Sequence, residues 1–165
     1  MAVVGVSHPP RGIELGDLVN STQYLFCYGT LLRDTAAPSM AAVCRRLPRL
    51  AVASVAGCLY DLGSYPGLVL SNHCDDDQST VRGEVVAVQS ASDWLRLDAY
   101  EGVDHARPDR SLYNRIRTIA TTDAGERIEC WVYVYNRDLR HAAKIDSGCW
   151  RTYLNDGEEY VAVPC

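Results

Sequence analysis

The chain has 165 residues, of which 47% are hydrophobic and 22% are charged, and this size and composition fit one globular domain rather than a disordered chain. Its net charge of −5 argues against nucleic acid as a partner, because phosphate neutralisation needs a basic face. The longest apolar stretch, residues 50–60, is far shorter than the ~20 residues of a membrane span. The N-terminus carries no basic segment followed by an apolar one, so we expect a cytoplasmic protein without a membrane contact.

The composition divides the chain into three parts. Residues 1–23 carry Gly, Pro and Ser without periodicity and are predicted to be a flexible leader, residues 24–154 form the domain, and residues 155–165 are a loose polar tail. The seven cysteines are odd in number and include no C-x-x-C pair. We therefore expect most of them to be reduced, buried fillers, and we predict no metal site.

In the first half of the chain, apolar runs bounded by turn residues predict three strands, at residues 24–28, 50–60 and 68–70. Helix formers predict a helix over residues 36–47, with Asp34 or Thr35 as its N-cap. Gly57 lies inside the second strand and is a candidate β-bulge. Residues 63–67, G-S-Y-P-G, are typical of a turn.

In the second half, three further strands are predicted, at residues 80–89, 112–121 and 128–135. The last two form a hairpin around the turn at residues 123–125. Ser92 is the predicted N-cap of a helix that runs to Glu101, with Gly102 as its C′ residue, and residues 148–154 suggest a short closing helix. Strands outnumber helices and hairpin spacing dominates, which predicts an α+β fold: a barrel or strongly bent sheet with helices packed outside it.

The helix that ends at Glu101 carries a carboxylate on its apolar face. At about 100° per residue, Trp94, Leu97 and Glu101 fall on one face with Asp98 beside them, whereas Tyr100 takes the other side. An ionised carboxylate on a buried face is costly unless it has partners. Glu101 is therefore the first candidate for a chemical role.

Two effects would raise the pKa of Glu101 from its usual ~4.3, namely desolvation and the negative end of the helix dipole. A counter-charge from the following strand, such as Arg115 or Arg117, would lower that pKa. If the first two effects dominate, Glu101 can transfer protons near neutral pH. The alternative is that Glu101 lies in a frayed last turn, exposed to water or paired with an arginine.

The segment Tyr28-Gly29-Thr30-Leu31 follows a predicted buried strand directly. Gly29 permits a positive φ and a close approach of a ligand to the backbone. Successive backbone N–H groups in such a turn can form a concave anion site, which would hold a carboxylate or a developing oxyanion. The alternative is an ordinary turn between a strand and a helix.

Seven segments in this order resemble the γ-glutamylcyclotransferase-like family, also called AIG2-like, across residues 24–154. They are L-F-C-Y-G-T-L-L (25–32), L-Y-D-L-G-S-Y-P-G-L (59–68), V-R-G-E-V-V (81–86), L-D-A-Y-E-G (97–102), L-Y-N-R (112–115), W-V-Y-V-Y (131–135) and S-G-C-W (147–150). One departure is Cys149, which stands where an acidic residue is often found and which we interpret as a surface or packing change.

The resemblance implies a small mixed, largely antiparallel β-barrel with flanking helices and no cofactor. It implies that Glu101 is the acid/base and that Tyr28, Gly29, Thr30 and Leu31 bind the glutamyl group of a small-molecule substrate. The implied reaction is an intramolecular attack of the substrate's α-amino group on its γ-carbonyl, which releases 5-oxoproline and an amine.

Tyr113 is a further candidate for substrate binding, and Tyr28, Tyr113 and Tyr135 are candidate pocket walls or hydroxyl donors. The Y-G-T-L form resembles the amine-type branch of the family, and this resemblance implies a γ-glutamylamine as substrate rather than a free γ-glutamyl amino acid or a γ-glutamyl biosynthetic intermediate. The oligomeric state stays open at this point.

Two other classes of function stay open. A non-catalytic binding module of the same fold would hold a small carboxylated ligand or a protein partner, and would be favoured if Glu101 lay far from residues 28–31 or were paired with an arginine. A thiol hydrolase would use Cys27 with a histidine, although no histidine lies in a motif.

Overall fold

The computed structural model describes residues 22–74 and 78–156. Seven strands lie in this part of the chain: β1 (Gln23–Cys27), β2 (Arg49–Asp61), β3 (Pro66–Leu70), β4 (Thr80–Val88), β5 (Tyr113–Thr122), β6 (Arg127–Tyr135) and β7 (Ala143–Lys144). Three α-helices accompany them: α1 (Ala41–Arg46), α2 (Ala91–Tyr100) and α3 (Trp150–Asn155). Two short 3₁₀ helices cover Ser71–His73 and Pro108–Arg110. The predicted leader and tail lie outside the described residues, except that β1 begins at Gln23 and α3 ends at Asn155.

Five strands close into a barrel in the order β2-β4-β1-β6-β5, and β5 pairs with β2 to complete it. The pairings in the barrel are antiparallel except for β1 with β6, which is parallel. The strands β3 and β7 extend the far end of β2 outside the barrel. The expected mixed, largely antiparallel β-barrel with flanking helices is therefore confirmed.

Both faces of β1 are buried, which explains its continuous apolar run. Leu25 and Cys27 face a core shared with helices α1 and α2, whereas Phe26 and Tyr28 face the barrel interior. Successive side chains on a strand point to opposite faces, so the two cores alternate along β1. Because β1 lies between β4 and β6 at the centre of the sheet, the residues just beyond it emerge between the two cores.

The predicted bulge at Gly57 is wrong, because the register shift in β2 falls between Arg49 and Ala51. At Gly57 the strand instead changes partner, from β4 to β3. A Cβ atom at Gly57 would lie 2.4 Å from the backbone oxygen of Val69. The glycine is therefore explained by the close approach of β3.

The structure starts α1 later than predicted, at Ala41, after the N-cap residue Met40. Neither predicted cap serves a helix, because Asp34 pairs with Arg151 and the Thr35 hydroxyl donates to the Gly29 carbonyl. Both polar groups find tertiary partners that the local sequence does not reveal.

The predicted cap Ser92 is also wrong by two residues. The N-cap of α2 is Ser90, whose hydroxyl accepts the N–H of Ser92 at 3.2 Å.

The cysteines are only partly as expected. Cys27, Cys44 and Cys130 are buried and reduced. Cys58 and Cys74 form a disulfide with a Cα–Cα distance of 6.1 Å, and Cys149 is also disulfide-bonded, so the expectation of reduced thiols is wrong for these three. The pairing of Cys58 with Cys74 depends on the fold placing β2 beside the 3₁₀ helix after β3, which cysteine spacing cannot indicate.

Candidate active site

A small cavity opens where β1 ends, beside the C-terminal end of α2. The cavity has a volume of about 20 Å³, and with the adjoining open space the hollow measures about 290 Å³. The cavity is large enough for about one water molecule. The lining residues are Phe26, Cys27, Tyr28, Gly29, Thr30, Leu31, Pro66, Glu101, Tyr113 and Tyr133. The six residues that the sequence nominated for the site are thus brought together around one cavity.

The C-terminal cap of α2 fixes the position of Glu101. The N–H of Val103 donates to the Asp98 carbonyl at 2.9 Å and the N–H of Gly102 donates to the Ala99 carbonyl at 3.3 Å, which together form a Schellman motif. Gly102 has a φ of +64°, a conformation that strongly favours glycine. The cap therefore ends the helix at Glu101 in a defined geometry instead of a frayed turn.

The next strand holds the other side of this cap. The N–H of Tyr113 donates to the Glu101 carbonyl at 3.3 Å, and the N–H of Leu112 donates to the Gly102 carbonyl at 3.0 Å. The backbone of Glu101 is thus anchored to both α2 and the start of β5. Its side chain projects from a rigid element, as a proton-transfer group requires.

Glu101 is 8% exposed, and burial raises the pKa of its carboxyl to about 8. The predicted counter-charges are engaged elsewhere: Arg115 pairs with Asp98 at 3.3 Å and Arg117 with Glu129 at 3.9 Å. Within residues 22–74 and 78–156, the Glu101 carboxylate has no ion-pair or hydrogen-bond partner. The carboxyl group is therefore sheltered and unneutralised, and it borders the cavity.

The helical wheel is correct for most of α2. Leu97, Asp98 and Glu101 are buried and Trp94 is half-buried, as the apolar face predicts. Tyr100 departs from the prediction, because it is half-buried and its hydroxyl donates to Thr30 Oγ1 at 3.2 Å. The contact connects α2 directly to the segment that follows β1.

Residues 29–31 form part of the cavity wall, and their backbone N–H groups lack an acceptor in the described part of the chain. The Gly29 carbonyl accepts from the N–H of Leu32 at 3.0 Å and from the hydroxyl of Thr35 at 2.7 Å. In a trans peptide the next N–H, that of Thr30, points the opposite way. The N–H groups of Gly29, Thr30 and Leu31 have no acceptor among the described residues, so they are available to an anionic ligand group.

Gly29 does not adopt the positive φ that a glycine permits. It is a glycine because a Cβ atom there would lie 2.5 Å from Cγ and 2.9 Å from Cδ of Pro66. The ring of Pro66 therefore packs on the backbone of this segment. The sequence identified the right residue, but the constraint comes from β3 and not from local backbone geometry.

The hydroxyl groups of two nominated tyrosines are engaged in the fold. Tyr28 donates to the Tyr133 carbonyl at 2.8 Å, and Tyr113 donates to the Pro66 carbonyl at 2.8 Å. Tyr135 does not line the cavity, and its ring packs edge-on against Tyr113 with centroids 5.3 Å apart. These tyrosines form and support the wall.

Three lining residues were not predicted from the sequence, namely Phe26, Pro66 and Tyr133. Tyr133 lies in the W-V-Y-V-Y segment, where alternation puts it on the same face as Tyr135, and this signal could have revealed it. Pro66 lies in a predicted turn, and only the tertiary structure brings it against Gly29.

Cys27 borders the cavity, but its surroundings do not favour a thiolate. Burial, followed by the charges of its acidic neighbours, raises the pKa of this thiol well above its usual value. No histidine of the described residues lines the cavity. A thiol nucleophile normally needs a nearby cation or base, so the geometry gives the thiol hydrolase no support.

A family model described as "Gamma-glutamyl cyclotransferase, AIG2-like" matches residues 25–152, and the chain belongs to this family. A curated Vibrio cholerae protein named "Putative gamma-glutamylcyclotransferase" is 35% identical over 92 residues, which cover 56% of this chain and 64% of that protein. The chain thus spans less than two thirds of this relative's length.

Solved structures carry the same fold. The structure of YkqA from Bacillus subtilis has a TM-score of 0.63 at 22% identity, over 85% of this chain and 44% of that chain. A solved gamma-glutamyl cyclotransferase has a TM-score of 0.52 at 18% identity, over 70% of this chain and 67% of that chain. At these identities the likeness concerns the fold alone.

Two negative findings apply to residues 22–74 and 78–156. No helix there has the length and apolar character that crossing a membrane requires. No group of three or more His, Cys, Asp or Glu side chains in that part of the chain is arranged to hold a metal ion.

Proposed function

We propose that the chain catalyses the cyclisation of a γ-glutamyl amide to 5-oxoproline with release of an amine, and that Glu101 is the general acid/base. The observation that carries the proposal is the unpaired, buried carboxyl of Glu101 beside the free N–H groups of residues 29–31 in one cavity. A donor side and a proton-accepting side are what an amino acid head group requires. Neither the donor side nor the proton-accepting side alone would be specific for an amino acid head group.

In this mechanism the nucleophile belongs to the substrate. Glu101 takes one proton from the α-ammonium group and releases it to solvent, which leaves a neutral nucleophile. As this nitrogen bonds to the γ-carbon, Glu101 takes its second proton and delivers that proton to the leaving nitrogen when the bond between the γ-carbon and the leaving nitrogen breaks, so no water is consumed. A carboxyl with a pKa of about 8 is well matched to both transfers near neutral pH.

The N–H groups of Gly29, Thr30 and Leu31 would bind the α-carboxylate or the oxygen of the γ-carbonyl as its charge develops. Confinement in a narrow cavity would hold the flexible glutamyl chain in its cyclising shape, and effective molarities for such ring closures reach ~10⁸ M. The wall formed by Tyr113 and Tyr28 would exclude water from the reacting atoms.

The leaving group is proposed to be an amine rather than an amino acid. No arginine or lysine of the described residues lines the cavity, so a carboxylate on the leaving group would lack a counter-charge there. The unpaired Glu101 would also repel it. An uncharged or cationic amine avoids both costs.

A binding module remains the second candidate. The observation that favours it is the small cavity volume of about 20 Å³, because the cavity would have to widen to admit a whole glutamyl amide. Against it stands Glu101, which borders the cavity without an arginine partner. A module that only held a carboxylate would have no use for an unneutralised acid beside it.

The test is incubation of the purified chain with a panel of γ-glutamyl amines and γ-glutamyl amino acids, with 5-oxoproline measured by mass spectrometry. We expect release from γ-glutamyl amines at least tenfold faster than from γ-glutamyl amino acids. Binding of these compounds without release of 5-oxoproline would establish the binding module instead. Equal rates across the panel would overturn the preference for an amine.

A further inference from the structure

Tyr133 on β6 lines the same cavity as Glu101 and is 2% exposed. Its hydroxyl donates to Asp98 Oδ1 at 2.7 Å, in a buried contact, and Asp98 lies one helical turn before Glu101 on α2. Burial raises the pKa of the Tyr133 hydroxyl, and Asp98 and the charge of Glu101 add to this effect.

Asp98 is fully occupied in this arrangement. Its second oxygen accepts from His105 Nε2 at 2.9 Å, and Arg115 pairs with the carboxylate at 3.3 Å. The guanidinium of Arg115 lies 4.3 Å above the Trp94 ring and 5.2 Å from the Trp131 ring, which fixes its position. With these partners around it, Asp98 is held as the acceptor of the Tyr133 hydroxyl.

A tyrosine hydroxyl has one proton to donate and lone pairs to accept with. Because the Tyr133 hydroxyl already donates its proton in a hydrogen bond to Asp98, it can act only as a hydrogen-bond acceptor towards a ligand in the cavity. The cavity is therefore divided into two halves, with backbone N–H donors at residues 29–31 and acceptors at Glu101 and Tyr133.

We infer that the Tyr133 hydroxyl binds the α-ammonium group of the substrate as a second acceptor beside Glu101, and that Asp98 is the positioning residue that keeps this hydroxyl in its accepting orientation. The inference rests on the proposed function and adds to it the direction of the bound substrate. The ammonium lies at Glu101 and Tyr133, and the carboxylate lies at residues 29–31. One proton of the ammonium faces Glu101, which removes it, while Tyr133 holds another.

The test compares two ligands that differ only at the α-carbon. One is a γ-glutamyl alkylamide substrate, and the other is the matching N-alkyl glutaramate, which has the same carboxylate and amide but hydrogen in place of the amino group. The glutaramate cannot cyclise, so its Ki as a competitive inhibitor reports binding alone. In Tyr133→Phe we expect KM for the substrate to rise about tenfold or more while Ki for the glutaramate stays within about twofold.

A matched control is Tyr153→Phe. The Tyr153 hydroxyl also donates to a carboxylate, Asp61 Oδ2 at 2.6 Å, but at an exposed position that does not line the cavity. We expect this variant to change neither KM for the substrate nor Ki for the glutaramate. An equal rise of KM and Ki in Tyr133→Phe would mean that the hydroxyl only supports the wall, and it would overturn the inference, as would no change in either constant.

Asp98 is tested by Asp98→Asn and Asp98→Ala. The amide oxygen of asparagine can still accept from Tyr133, so Asp98→Asn should keep KM within about threefold, whereas Asp98→Ala should raise KM as Tyr133→Phe does. If Asp98→Ala does not fold, as circular dichroism will reveal, Asp98→Asn and Tyr133→Phe still decide the matter. A tenfold rise of KM in folded Asp98→Asn would overturn the positioning role.

Failure of the inference and failure of the proposed function give different results. No 5-oxoproline from the wild-type chain with any substrate overturns the proposed function and this inference with it. Turnover by the wild type with equal changes for both ligands overturns the inference alone.

Discussion

Two buried glutamates lie near the same buried thiol and differ in their ion-pair partners. Glu84 on β4 pairs in register with Cys27, and Glu101 at the end of α2 lines the same cavity as Cys27. The charges of both glutamates raise the pKa of that thiol, after burial and Cys44. Their exposures are 4% for Glu84 and 8% for Glu101. Burial therefore does not distinguish the two carboxylates.

Their partners distinguish them. Glu84 accepts from Arg151 at 2.9 Å and from Arg49 at 3.2 Å, and Arg151 also binds Asp34 at 2.5 Å. Glu101 has no such partner among the described residues. A buried acid that arginines surround is thus a structural link, whereas one whose arginines pair elsewhere is left with a raised pKa and available for the proposed proton transfer.

The largest expected effect comes from removing the acidic group of Glu101. Glu101→Gln should lower kcat for 5-oxoproline release by about 10³-fold, because an amide cannot take up and return a proton. KM should change less than kcat, since the shape of the side chain is kept. The measurement is steady-state release of 5-oxoproline from the best substrate of the panel.

The matched control for this change is Glu129→Gln. Glu129 is an exposed carboxylate on β6 that pairs with Arg117 at 3.9 Å. The Glu129→Gln substitution should leave kcat within about twofold of the wild type. A Glu101→Gln variant with a kcat similar to that of Glu129→Gln would refute the catalytic assignment.

The second effect concerns stability and pH. Glu101 has a folded-state pKa of about 8 against an ordinary value of 4.5, so between these values the folded state binds more protons than the unfolded state. The free energy of unfolding of the wild type should therefore fall by about 2–3 kcal/mol more than that of Glu101→Gln as pH rises from 5 to 7. Urea denaturation of both proteins at the two pH values measures the difference, and parallel pH dependences would contradict the unpaired state of Glu101.

The third effect concerns the ion pairs of Glu84. Glu84→Gln should lower the free energy of unfolding at pH 7 by about 1–3 kcal/mol, because a half-buried guanidinium, that of Arg151, loses a charged acceptor. Per folded molecule, kcat should remain within about threefold of the wild type, since Glu84 does not line the cavity. A loss of kcat as large as that of Glu101→Gln would show that the two glutamates do not have separate roles.

The smallest effect is the pH dependence of kcat/KM in the wild type. If the base is the free carboxylate of Glu101, kcat/KM should rise about tenfold per pH unit below a pKa of about 8 and level off above it. A profile that is flat from pH 6 to 8 would indicate that an arginine or another cation neutralises Glu101 in solution.

The sequence predicted the outline of this protein because its signals were local. Alternation and apolar runs located six of the seven described strands to within a few residues. The helical wheel put Glu101 on the buried face of α2, and the following glycine marked the end of that helix. These features depend on neighbours within about four residues along the chain.

The tertiary structure decided which buried acid stays unpaired. The pairing of Arg115 with Asp98 instead of Glu101, the contact of Pro66 with Gly29, and the donation from Tyr133 to Asp98 each join residues from different elements. A sequence pattern shows which charged residues are available but not which of them form ion pairs. Because the pKa of a buried carboxyl depends on those ion pairs, only the fold determined that Glu101 has no cationic partner among the described residues.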